Sequence, residues 1–128
     1  STLHTIGASN TIDRIIDVFP PHQQQQIRIQ LATTLRGVIS QQLITRADGK
    51  GRLVAVEVMI GTAAVSNMIR EGKSHQLNNV IQSSGNLGMR MMDDAIFELY
   101  KKGSITRESV IEHCIDTEYM KSLLLRQR

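Results

Sequence analysis

The sequence predicts an α/β chain in which one β-hairpin is set among amphipathic helices. Three observations carry this. Val38–Arg46 and Arg52–Ile60 alternate with a period of two and flank Asp48-Gly49, a strong hairpin-turn signal. The segments before and after them follow helical spacing instead. The second strand is apolar on both sides. Val54, Val56, Val58 and Ile60 share one face, and Leu53, Ala55 and Met59 occupy the other with Glu57. Such a strand is expected to be covered on both faces, and because a lone hairpin is marginal in water it is expected to belong to a larger sheet.

With 128 residues there is room for one domain with a modest core, or for a piece of a larger one. Two Phe, two Tyr and no Trp leave aliphatic side chains and six Met to fill the interior. The net charge of +3 is mild and its basic residues are dispersed, so no nucleic-acid footprint is expected. No apolar run approaches the roughly 20 residues that span a bilayer, and no signal peptide is visible. The single Cys114 has no partner for an internal disulfide and suits a reducing compartment.

Taken in order, Ser1–Ile6 is compatible with a short strand and Gly7–Asn10 with a turn, with Ser9, Asn10 or Thr11 available as a helix cap. Ile12, Ile15, Ile16 and Phe19 keep i, i+3, i+4, i+7 spacing, a helix that Pro20-Pro21 ends. His22–Leu35 forms the next, with Ile27, Leu31 and Leu35 inward. After the hairpin, Thr62–Lys73 reads as a short helix closed by Gly72, with Val65, Met68 and Ile69 on its apolar face and Ser66, Arg70 and Lys73 opposite. His75–Gln82 and Met89–Lys102 follow as helices, the second ending at Gly103. Thr106 caps another, with Ile105 and Val110 placed as a hydrophobic staple. Asp116 or Thr117 caps the last, through Leu125, and Arg126–Arg128 is expected to fray.

Little chemistry is written into these residues alone. There is no GxxxxGK[ST] loop and no acidic residue ending an apolar strand run. Gly49–Gly51 is a hairpin turn rather than a phosphate cradle. Asp93 and Asp94 are adjacent in sequence and splay around their helix, which suits a solvated face, and Glu57 reads as a structural or interface group. His22, His75 and His113 show no ligand spacing with one another or with Cys114, so no metal site is expected. His4 alone has a claim to catalysis, standing where a strand is expected to run into a turn.

Ala64–Lys73, AVSNMIREGK, resembles the AIRNLIREGK box of the PilT family, the type IV pilus retraction ATPases of the secretion ATPase superfamily. Ala64, Asn67, Ile69, Arg70, Glu71, Gly72 and Lys73 match letter for letter; Val65 and Met68 are apolar exchanges, and Ser66 replaces an arginine. Thr2–Thr5, Thr11–Pro20, Arg36–Arg46, Asp48–Arg52, Ala55–Gly61 and Gly88–Asp93 resemble segments of the same family. The likeness runs over nearly the whole chain and identifies it as the C-terminal portion of such a protein.

The resemblance implies the end of a RecA-like P-loop ATPase core over 1–61, containing a His-box strand, two helices and the hairpin, and a helical C-terminal extension over 62–128. It implies that His4 closes the His box beside the nucleotide's terminal phosphates, where it is a catalytic candidate. Ala64, Asn67, Ile69, Arg70, Glu71, Gly72 and Lys73 are implied to couple hydrolysis to movement through subunit or partner contacts. The whole protein is implied to use ATP and Mg²⁺ as a cytoplasmic homohexamer peripheral to the inner membrane, working on the inner-membrane platform and pilin machinery without inserting into the bilayer. No cofactor is expected on this chain alone, and without the P-loop it is expected to be inactive. The alternatives are a pilus assembly or type II secretion ATPase, against which the REGK ending speaks, and a helical interaction module with no enzymatic parent.

Overall fold

A computed structural model describes residues 3–126 of the chain. Its elements run α1 (Ala8–Asp17), α2 (Pro21–Thr34), β1 (Gly37–Thr45), β2 (Arg52–Ile60), α3 (Ala63–Arg70), α4 (Leu77–Ser83), α5 (Met92–Lys101), α6 (Arg107–His113) and α7 (Thr117–Arg126), with single 3₁₀ turns at Ser74–Gln76 and Gly85–Leu87. The arrangement is α/β, as predicted. Ser1 and Thr2, with which the expected first strand begins, and Gln127 and Arg128, where fraying is expected, lie outside the described residues. Over Leu3–Ile6 no strand forms, and the hairpin is the only sheet among the described residues.

The hairpin follows its periodicity. β1 and β2 pair antiparallel with Val38 opposite Met59 and Leu43 opposite Val54. Asp48 closes the turn by accepting from the Lys50 N–H at 2.8 Å. One face carries Ser40, Ile44, Ala55, Glu57 and Met59 into the interior. The other is less covered than expected: Ile39 is 72% exposed and Leu43 and Val54 are each 48% exposed. Arg90 adds a one-residue bridge to β2, exchanging both backbone hydrogen bonds with Val58. That pairing delays α5, which starts at Met92 rather than at the expected Met89.

Two apolar clusters flank the buried face. Ile12, Ile16, Ala32, Met59, Val65, Ile69, Leu77 and Ile81 belong to the first. Ile44, Ala55, Met92, Ile96, Ile105, Val110, Met120 and Leu124 belong to the second. Each draws residues from both sides of position 61. The staple is formed, since Ile105 and Val110 are both buried beneath the Thr106 cap. Glu57 stands on β2 between Ala55 of one cluster and Met59 of the other.

Candidate functional site

The helix with the family-like box is fixed at both ends and along one side. Thr62 caps it through a long 3.4 Å bond from the Val65 N–H. At its far end the Lys73 N–H donates to the Met68 carbonyl at 2.8 Å and the Gly72 N–H to the Ile69 carbonyl at 3.1 Å. This paired closure needs a left-handed residue, and Gly72 supplies it with φ +72°. Just before the cap, the chain passes so close to α2 that a Cβ on Gly61 would sit 2.3 Å from the Leu35 carbonyl oxygen. Glycine is the residue that allows that approach.

Val65 and Ile69 are fully buried and Met68 partly so, which is the predicted apolar face. Ser66 does not share the outward basic face assigned to it. Its hydroxyl donates to the Ala32 carbonyl at 2.9 Å and ties α3 to α2. Of the box-matching residues, Ile69 lies in the core, while Ala64, Asn67, Arg70, Glu71, Gly72 and Lys73 are exposed. Arg70 donates to Asn67 Oδ1 at 3.0 Å, and Lys73 lies 3.3 Å from Glu71. Exposed pairs of this kind hold little energy. They leave a rigid, mixed-charge surface.

His4 is exposed, four residues ahead of α1. The residues between are braced to the first turn of that helix. The Thr5 and Thr11 hydroxyls lie 2.8 Å apart, Asn10 Nδ2 donates to the Ile6 carbonyl at 3.0 Å, and the Thr11 hydroxyl donates to the Gly7 carbonyl at 2.9 Å. The cap is not one of the expected side chains. Gly7 occupies that position, and the Ala8 N–H donates to Glu57 Oε1 at 2.6 Å. The other oxygen, Oε2, accepts from the Met92 N–H at 2.9 Å, so one buried carboxylate caps both α1 and α5.

Asp93 is not on a solvated face, contrary to expectation. It is 2% exposed and accepts from the Ile115 N–H at 2.7 Å and the Asp116 N–H at 2.9 Å, which holds the entry to α7. Burial pushes its carboxyl above the usual carboxylate range; the two N–H bonds oppose this, and the charges of Asp116 and Asp94 reinforce it. Asp94 accepts from the Tyr119 hydroxyl at 2.6 Å. The Tyr119 phenol is pushed up to about 12, first by burial and then by that bond and the nearby carboxylates. Glu57, Asp93, Asp116 and Tyr119 border a cleft of about 220 Å³ that His75 and Asn78 also line. A lone acid among valines was the sequence signal for Glu57. Asp93 had none, because its role depends on where α5 begins.

These residues do not by themselves fit a nucleotide. The Gly49–Gly51 turn is an exposed hairpin tip, and the helix N-termini at Ala8 and Met92 are already occupied by Glu57. Among the described residues no three His, Cys, Asp or Glu side chains converge as metal ligands, and no helix is long and apolar enough to cross a membrane.

The type IV pilus retraction ATPase PilT of Pseudomonas aeruginosa is 47% identical to this chain over 111 residues, which are 87% of the chain and 32% of that protein. A twitching motility protein of Neisseria gonorrhoeae is 41% identical over 119 residues, 93% of the chain and 32% of that protein. The crystal structure of the pilus retraction motor PilT with bound ADP superimposes with a TM-score of 0.83 at 40% identity, over 94% of this chain and 33% of that one. The chain belongs to the PilT family. It spans about a third of the length of the curated relatives it matches, as the C-terminal portion. The Legionella pneumophila ATPase DotB shares the fold, with a TM-score of 0.68 at 19% identity over 99% of this chain and 31% of its own. No protein-family profile matches the chain.

Proposed function

We propose that this chain is part of a hexameric motor ATPase that retracts type IV pili, and that it supplies the motor with a force-coupling surface and one catalytic side chain. What supports the reading is the placement of the box on α3. Ile69 matches the family box from inside the core and Gly72 from a left-handed turn, so packing and backbone account for both. Ala64, Asn67, Arg70, Glu71 and Lys73 match from the exposed surface, where the core asks nothing of them. A rigid helix presenting such a set is suited to meeting another subunit or a partner.

In this reading ATP and Mg²⁺ are held by the P-loop and acidic residues of the remainder of the protein. His4 lies beside the terminal phosphates and acts on turnover. The inner-membrane platform and pilin machinery are the partners, and the working compartment is the cytoplasm. The helical segment 62–128 transmits movement, while 1–61 completes the ATPase core.

The test is a strain lacking the whole protein that carries this chain. Pili that assemble but no longer retract are expected. Loss of pilus assembly would favour the assembly-motor alternative, and intact retraction would remove the chain from this machinery.

A further inference from the structure

We propose that Glu57 is a positioning residue for the His4 segment, holding it in register with α5 from inside the hairpin; this deepens the reading of His4 above and rests on it. Two helices begin beside Glu57, and neither brings a side chain to its own N-cap: Gly7 stands there for α1 and Met91 for α5. A Ser, Asp or Asn at either place would satisfy the first turn locally. Instead the Ala8 and Met92 N–H groups, 84 residues apart in sequence (92 − 8), converge on one carboxylate at 2.6 and 2.9 Å. Glu57 is 2% exposed and sits where the two apolar clusters meet. A buried acid is costly to hold there without hydrogen-bond partners, and the Ala8 and Met92 N–H groups supply them.

From Ala8 the restraint passes back towards His4. Gly7, Ile6 and Thr5 are each bonded to Thr11 or Asn10 in the first turn of α1. It also passes forward, because Asp93 follows Met92 directly and holds Ile115 and Asp116 ahead of α7. Glu57 therefore joins the placement of His4 to the placement of the α5–α7 unit through hydrogen bonds on one carboxylate.

The experiment uses the whole protein that carries this chain, with Glu57→Gln, Asn10→Ala, His4→Ala and the Glu57→Gln/His4→Ala double variant. Glutamine keeps the shape but turns an NH₂ towards one of the two N–H donors. Two readouts are taken: amide exchange over Leu3–Thr11 without nucleotide, and kcat and KM for ATP. Glu57→Gln is expected to speed exchange in that segment and lower kcat about tenfold, with KM within about twofold. Asn10→Ala, at an exposed site, loosens the segment directly and shifts both in the same direction by less. Glu57→Asp, which keeps the charge but shortens the reach to the two N–H groups, carries the test if Glu57→Gln does not fold, with the same outcomes. The double variant is expected to be no slower than His4→Ala, because Glu57 acts through His4. A normal kcat in Glu57→Gln despite a loosened segment overturns the proposal, as does a double variant whose losses multiply. A normal kcat in His4→Ala overturns the catalytic reading of His4, and this inference with it. That outcome is distinct from a slow His4→Ala beside a normal Glu57→Gln, which overturns the role of Glu57 alone.

Discussion

Tyr119 on α7 donates its hydroxyl to Asp94 Oδ1 on α5 at 2.6 Å, one residue beyond the carboxylate that holds the α7 entry. Burial first, and then this bond, favours the neutral phenol, and the folded pKa of about 12 lies above the ordinary value of 10.0. A proton held more tightly in the folded state adds stability that is fully present below pH 10. It is lost as pH rises through about 12. Denaturation midpoints of the wild type and Tyr119→Phe are therefore expected to differ by a constant amount up to about pH 10 and to converge above it. A difference that stays constant to pH 12 would show that this proton is not held more tightly in the folded state.

Asp93 behaves in the opposite direction across the acid range. Its folded pKa is raised above 3.8, so it is the protonated form that folding favours, and its contribution falls as pH climbs from below that value through the raised one. Asp93→Asn is expected to flatten this part of the stability profile. Asp93→Ala leaves the Ile115 and Asp116 N–H groups without their acceptor and is expected to cost about 2 kcal/mol at neutral pH. Urea titration reads both, and an unchanged midpoint in the alanine variant would contradict the clamp.

Ser66 stands where the family box has arginine, yet it is not an idle replacement. Its bond to the Ala32 carbonyl joins α3 to α2. Ser66→Ala is expected to destabilise the protein by about 1 kcal/mol in chemical denaturation, without altering the exposed Arg70–Asn67 pair. Wild-type stability would mean that packing alone fixes α3.

Much of the fold was legible from pattern, and the reasons are local. The β2 limits Arg52 and Ile60 follow from a two-sided apolar strand pattern beside Asp48-Gly49, and the end of α3 follows from one glycine. The apolar faces of α1 and α3 follow from spacing alone, with Ile12, Ile16, Val65 and Ile69 all buried. What escaped the sequence depends on distant backbone. α1 begins at Ala8 because Glu57 caps it from 49 residues away. α5 begins at Met92 because Arg90 is drawn onto β2. Asp93 becomes a buried acceptor only once that start is set. Ser66 has the spacing of the basic face but the length to reach only its neighbour helix. The exposure of Ile39, Leu43 and Val54 on the outer face of the hairpin likewise reflects which elements lie beside it, which alternation cannot report.

In the proposed motor the exposed side of α3 serves movement rather than hydrolysis, and the Arg70→Gln/Lys73→Gln variant of the whole protein separates the two. Both side chains are exposed, and their loss from a helix end is expected to cost about 1 kcal/mol or less. ATPase rate and pilus retraction are measured on the same variant. A folded hexamer with near-normal ATP turnover and no retraction is expected. Normal retraction would contradict it and leave α3 an ordinary amphipathic helix, and a matching loss of ATPase would place these residues in subunit assembly instead.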